Sequence, residues 1–273
     1  VTYLQSIILG LIQGLTEFLP VSSDGHLVLA QEIFGLRPPN AVAFDVLLHA
    51  GTLVAVVGYF WEDLFRMALA LIGRGGRDAV VRLRWIWLLG LGTVPVAIVG
   101  LVLEDWFAST FDSLYWAAGG LLVTGSMLAV AHGRGATGRD AEGFTVKDAL
   151  VMGGSQIIAL LPGVSRSGST LFAALTTGIE RTTAARFSFL LSIPAIAGAL
   201  VLKQHELVRM LANGDAPVPV LAAGPITAAI TGWFAIDVLM RAVRIGSLRG
   251  FAVYCWIVGA MALAWGAANG IGS

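Results

Sequence analysis

Charge is what this sequence has least of: Asp, Glu, Lys and Arg together make 12% of 273 residues, while hydrophobic residues make 57%. Soluble domains carry about 25% charge, and one of this length would need a far more polar surface, so a soluble globular protein is excluded. Acidic and basic residues number 17 each; with no net charge and no basic domain, nucleic-acid binding is not expected. Cysteine is almost missing. Cys255 stands alone, which excludes an intrachain disulfide and a cysteine-based metal site. The first apolar stretch, Tyr3 to Leu19, lacks basic residues ahead of it and a small-x-small cleavage site behind it, so a cleaved signal peptide is not expected. The first residue is Val1 and not Met, as expected of a trimmed chain.

What the chain has in quantity is long apolar runs. Phe44 to Trp61, Trp85 to Leu103 and Gly250 to Trp265 carry at most one charge each, and the pattern predicts six spanning helices at about 42–61, 85–104, 113–131, 184–203, 219–240 and 250–269. Trp61, Trp85, Trp106 and Trp116 fall near span ends, where interfacial anchoring is expected. The stretches 3–36 and 147–179 differ. Each is broken at its middle by Pro and a Ser/Gly cluster, Pro20-Val21-Ser22-Ser23-Asp24-Gly25 and Pro162-Gly163-Val164-Ser165-Arg166-Ser167-Gly168. Such breaks predict two re-entrant helical hairpins.

The broken stretches repeat each other. A gapless shift of 143 places Gly10 on Gly153, Gln13 on Gln156, Val21 on Val164, Ser22 on Ser165 and Gly25 on Gly168, then Phe44 on Phe187 and Leu48 on Leu191. One membrane domain, residues 1–273, with repeat halves 1–132 and 146–273 is expected. A hairpin returns to its starting side, so three crossings per half leave the second half inverted. The expected fold is therefore all-α and integral to the membrane, with an inverted-topology repeat.

Loop charges agree with this topology. Arg66, Arg74, Arg77, Arg82, Arg84, Arg134, Arg139, Lys147, Arg181, Arg186, Arg241, Arg244 and Arg249 fall on one side; Arg37, Lys203 and Arg209 fall on the other, beside Glu104, Asp105 and Asp112. Basic loops are cytoplasmic, which opens the first hairpin to the outside and the second to the cytoplasm, with their tips meeting near the midplane.

Ionisable residues at membrane depth are functional candidates, and here they cluster at the two breaks. The first supplies Glu17, Asp24 and His26 with Thr16, Ser22 and Ser23; the second supplies Arg166 with Ser165, Ser167, Ser169 and Thr170. Each break also frees the first N–H groups of the following half-helix, an anion site. With Arg166, whose guanidinium forks onto phosphate oxygens, the pocket suits phosphate or diphosphate. His26 follows Ser23 by three residues, so one helical turn would bring the imidazole to the hydroxyl for attack on phosphorus, with Glu17 orienting His26 or binding a divalent cation. Structural readings stand beside these: Ser22, Ser165 and Ser167 as helix caps, Asp24 as an N-cap, and Asp45 and His49, one turn apart, as interhelical hydrogen-bond formers or ligand contacts. A packing hydrogen bond suffices for Gln156.

The two segments resemble the signatures of the bacterial undecaprenyl-diphosphate phosphatase family, the BacA type of bacitracin resistance: Gln13-Gly-Leu-Thr-Glu17-Phe-Leu-Pro-Val-Ser22-Ser23-Asp24-Gly-His26 and Leu161-Pro-Gly-Val-Ser165-Arg166-Ser167-Gly168-Ser-Thr170. The resemblance implies a hydrolase of the bacterial inner membrane, cleaving a C55 isoprenyl diphosphate to the monophosphate at an outward-facing site, for cell-wall synthesis. It implies Mg2+ or another divalent cation, with Glu17 as a candidate ligand. By motif position Glu17, Ser23, His26 and Arg166 are catalytic, with Ser23 as candidate nucleophile and a phosphohistidine route through His26 open beside it, and Ser22, Ser165, Ser167, Gly168 and Thr170 bind phosphate. Gln13 stands where many members have Glu, and Asp24 where Thr is common. Expected partners are the lipid diphosphate and membrane lipids, with room for a homodimer. The rival expectation is a lipid-phosphate flippase or anion transporter, since inverted repeats with broken helices also build transporters.

Overall fold

The computed structural model describes residues 1–36, 38, 41–111, 113–135, 137–213 and 216–270, the side chain of Arg77 excepted. Arg37 and Asp112, counted above among the loop charges, lie outside the described residues. Thirteen α-helices follow in chain order: α1 (Tyr3–Phe18), α2 (Ser23–Phe34), α3 (Ala41–Tyr59), α4 (Trp61–Leu71), α5 (Ala79–Val102), α6 (Glu104–Thr110), α7 (Leu114–Ala131), α8 (Val146–Ile158), α9 (Arg166–Thr176), α10 (Arg181–Leu202), α11 (Gln204–Asn213), α12 (Val218–Arg244) and α13 (Arg249–Ala268). No strand is found among the described residues.

Six helices, α3, α5, α7, α10, α12 and α13, are long and apolar enough to cross a membrane, the number expected from hydropathy. α2, α8 and α9 have 12, 13 and 11 residues. At about 1.5 Å per residue each falls well short of the roughly 30 Å of a bilayer core, as re-entrant hairpins require. The short helices α4, α6 and α11 are additional to the elements expected from the sequence. They lie at the ends of spans, too brief to register against the apolar runs beside them.

The pairings of α1 and α8 follow the 143-residue shift. Both open on a capping box at corresponding positions: Thr2 with Gln5 in α1 and Thr145 with Asp148 in α8, each Thr hydroxyl accepting from the backbone N–H three residues on. α1 packs on α12 and α8 packs on α5. At those crossings Gly10 lies against the Gly224 carbonyl and Gly153 against that of Gly92, so close that a Cβ would fall 2.3 and 2.0 Å from the oxygens. Small residues are what let helices without a hydrophobic drive in lipid approach to backbone contact.

The loop charges also segregate in space. Arg186 pairs with Asp63, Arg84 donates to the Glu142 carbonyl and Arg181 donates to those of Gly133 and Arg134, whereas Lys203 pairs with Glu104. Arg139 makes a two-pronged bond to the buried Asp148 at 2.6 and 2.7 Å. Two expectations fail. Trp85 is no interfacial anchor: it is 6% exposed, packed on Phe144 and Phe187, and its indole N–H donates to the Ala141 carbonyl. Gln156 is buried with no hydrogen-bond partner on either side-chain polar atom.

Glu180 caps α10 by accepting from the N–H groups of Thr182 (2.8 Å) and Thr183 (2.7 Å). Partial burial raises the pKa of this carboxyl, but the two donors outweigh it and hold it below its usual 4.5. The cap is therefore at full strength above that value and weakens as pH falls through the lowered one. Glu180→Ala should lower the unfolding temperature at neutral pH, and the gap from the parent should narrow on acidification below about pH 4. A gap unchanged with pH would remove the carboxylate from the account.

Candidate active site

The two breaks meet. Gly25, in the first turn of α2, lies so close to Gly163 that a Cβ would fall 2.7 Å from its Cα. Gly163 has φ +85° and itself lies under the Ala117 carbonyl of α7; only glycine fits such a backbone at that approach. The second tip is tied to α7 by Thr124, whose hydroxyl donates to the Gly163 carbonyl and accepts from the Ser165 N–H, both at 2.9 Å. The Ser167 hydroxyl donates across to the Leu19 carbonyl.

Ser22 turns the first tip. Its φ of 68° is the one positive value at a non-glycine position among the described residues, a conformation that costs about 1–3 kcal/mol and persists where surrounding structure enforces it. The enforcement is visible: Ser22 is the N-cap of α2, its hydroxyl accepting from the Gly25 N–H, while its carbonyl accepts from His26 Nδ1 at 2.7 Å. Ser22, and not Asp24, is therefore the cap; Asp24 is the second residue of the helix, its carboxylate 30% exposed.

Glu17, buried at the end of α1, is the hub. Its Oε2 accepts from the Ser23 hydroxyl at 2.5 Å and from Gln13 Nε2 at 3.2 Å; its Oε1 accepts from Arg166 Nη2 at 2.8 Å. One carboxylate thus joins the two tips, placing Ser23 and Arg166 on opposite edges of the same group. The second guanidinium nitrogen, Arg166 Nη1, and Gln13 Oε1 are buried without partners. A charged donor left unpaired in a buried setting is destabilising unless a ligand meets it.

His26 does not meet Ser23. A carbonyl only accepts, so His26 Nδ1 carries the proton that goes to Ser22; Nε2 then accepts from the Tyr254 hydroxyl of α13 at 2.7 Å, with the two rings parallel. The one-turn spacing was right for a helix face, but Ser23 is the first residue of α2 and reaches back to α1. The imidazole near Glu17 is His49 of α3, whose Nε2 lies 3.6 Å from Glu17 Oε2 and 3.7 Å from Asp24 Oδ1. Asp45 takes the interhelical role, accepting from Gln31 Nε2.

The remaining hydroxyls are engaged in local structure. Ser165 caps α9 through the Gly168 N–H and meets Ser167 at 3.1 Å; Thr170 bonds back to the Arg166 carbonyl and meets Ser188 at 2.5 Å. The N–H groups of Arg166 and Ser167, ahead of the capped Gly168, point out of the helix start without intrahelical acceptors. Tyr254, Thr124 and Ser188 were not read from the sequence. Ser188 had a signal, since the repeat shift places it on Asp45; Tyr254 and Thr124 had none, being single polar residues within apolar spans.

No group of three or more His, Cys, Asp or Glu side chains among the described residues is arranged to hold a metal ion. Both Glu17 oxygens are taken by protein donors, so Glu17 is a poor ligand as it stands. Asp24, whose carboxylate is 30% exposed with His49 3.7 Å from Oδ1, fits a cation carried mainly by a diphosphate and water.

A buried hydroxyl on a carboxylate, an arginine with an unpartnered buried nitrogen and open helix N-termini, set among six helices apolar enough to span a membrane, suit chemistry on a phosphate ester or anhydride. Comparison with known proteins places the chain further. Residues 6–261 match the family described as bacitracin resistance protein BacA, and the chain belongs to that family. It is 44% identical to the undecaprenyl-diphosphatase of Syntrophotalea carbinolica over 261 residues, covering 95% of this chain and 97% of that one. It is 42% identical to the one of Halothermothrix orenii, covering 93% and 95%, and 39% identical to that of Methanobrevibacter smithii, covering 94% and 95%.

Proposed function

We propose that this chain hydrolyses undecaprenyl diphosphate to the monophosphate and phosphate, through Ser23 activated by Glu17 and a phosphate held by Arg166. The observation that carries the reading is the single Glu17 carboxylate contacting Ser23 Oγ on one oxygen and Arg166 on the other. Glu17 takes the Ser23 proton as Oγ bonds to the terminal phosphorus and the bond to the lipid monophosphate breaks. Water then attacks the phosphoserine, and Ser23 Oγ leaves with a proton returned from Glu17. Arg166 Nη1 and the N–H groups that open α9 stabilise the charge on the transferred phosphoryl.

Ser165, Gly168 and Thr170 shape that helix end, and Ser167 and Ser22 line it. His26 holds the Ser22 turn that aims Ser23. A divalent cation, Mg2+ by preference, would be held by the substrate's phosphate oxygens, water and Asp24, and would offset the diphosphate charge. The halves are inverted, the basic loops face the cytoplasm of a bacterial inner membrane, and the pocket opens outward; the product re-enters cell-wall synthesis.

Purified chain in detergent, given farnesyl diphosphate and Mg2+, should release inorganic phosphate. A transporter or flippase needs a binding site but no nucleophile on a base. Binding without phosphate release would favour that rival and overturn the hydrolase reading.

A further inference from the structure

His49 is the one imidazole beside the Glu17 hub, and the reaction described above does not use it. Its ring is fixed from behind: Nδ1 donates to the Asp45 carbonyl one turn earlier at 2.8 Å, which aims Nε2 into the gap between Glu17 and Asp24. Side-chain exposure rises along this line, from Glu17 at 6% to His49 at 22% and Asp24 at 30%. His49 therefore separates a buried carboxylate in contact with the hydroxyl from a second one on the open side.

Glu17 is held at three points. Arg166 draws Oε1 toward α9, Gln13 and Ser23 meet Oε2, and the Gln13 contact is long at 3.2 Å. Two carboxylates that flank one nitrogen, with no donor between them, would repel.

We propose, resting on the hydrolase reading, that His49 is a positioning residue: with Nδ1 donating to the Asp45 carbonyl and Nε2 set between two carboxylates, the ring is an imidazolium whose Nε2–H, braced on α3, keeps Glu17 Oε2 turned to the Ser23 hydroxyl and holds Asp24 in its place beside it. The role belongs to an N–H at that point in space and not to the bulk of the ring. Three substitutions separate the two. Ala removes both donor and bulk, Phe keeps bulk without a donor, and Gln places an amide N–H at similar reach.

The test is phosphate release from farnesyl diphosphate by purified full-length chain, with kcat and KM determined separately. Misplacing Glu17 slows the chemical step without touching the phosphate clamp, so His49→Ala and His49→Phe should each lose roughly 100-fold in kcat with KM little changed. His49→Gln should recover most of that loss. Full activity in His49→Phe would reduce His49 to packing. A raised KM with unchanged kcat in His49→Ala would make it a substrate contact. Either result overturns the proposal. Should His49→Ala fail to fold, the comparison of Phe with Gln still decides, each checked by its unfolding temperature. An inactive parent chain counts against the hydrolase reading itself, whereas these outcomes in an active one bear on His49 alone.

Discussion

Ser23→Ala is expected to lower kcat for phosphate release by roughly 10⁴-fold or more, with binding of the diphosphate retained. The Ser23 hydroxyl donates to Glu17 at 2.5 Å, which puts a carboxylate at its proton; the other hydroxyls of the two tips, among the described residues, bond to backbone groups or to other hydroxyls. His26, the alternative nucleophile, has its Nε2 lone pair engaged by Tyr254 and its other nitrogen committed to the Ser22 carbonyl. Removing Oγ from Ser23 leaves a methyl of similar size and frees Glu17 Oε2, so folding should be preserved. A purified Ser23→Ala variant within tenfold of the parent would transfer the nucleophile's role elsewhere, to His26 or to a directly attacking water. His26→Ala should then behave differently: a loss through the strained Ser22 turn, accompanied by lower thermal stability, because the imidazole ties that turn to α13.

Arg166→Ala should reduce kcat/KM by roughly 10³-fold or more, since it removes the charged donor from the transferred phosphoryl and unlocks Glu17 at once. It also leaves a buried carboxylate without its cation, a change worth about 3–5 kcal/mol when a buried pair is broken. Arg166→Lys is therefore the more informative variant. Lysine keeps the charge but has one nitrogen where the guanidinium offers a fork, so it can meet Glu17 or the phosphate and not both. We expect Arg166→Lys to fold at near-parental stability and still lose activity by about 10²-fold. Near-parental turnover in Arg166→Lys would show that the fork, with its unpartnered Nη1, is not used.

Much of the architecture was legible because the bilayer imposes it. A span must be long and apolar, so Ala41–Tyr59 and Arg249–Ala268 stand out by composition alone, and the breaks at Pro20–Gly25 and Pro162–Gly168 stand out because Pro, Ser and Gly sit where an unbroken helix would not tolerate them. The 143-residue repeat survived in the glycines and caps, at Gly10 and Gly153 and at Thr2 and Thr145, since backbone contact and capping admit few residue types. Helix starts were harder. α5 begins at Ala79, six residues before the apolar run at Trp85, because a helix continues through Arg82 and Arg84 once their side chains reach polar partners at the interface.

The sequence by itself determined that the chain crosses a membrane, that it carries two matching segments broken by Pro, Ser and Gly, and that Glu17, Ser23 and Arg166 are the candidates for the chemistry. Hydropathy, helix-breaking residues and buried charge are local properties, and each is written in a few consecutive positions. Tertiary structure alone decided which side chain meets which: that Ser23 faces Glu17 and not His26, that His26 is claimed by Tyr254 more than two hundred residues away, and that His49 closes the gap beside Asp24. Those contacts depend on how α1, α2, α3, α9 and α13 converge, and spacing along one helix gives no information about its neighbours.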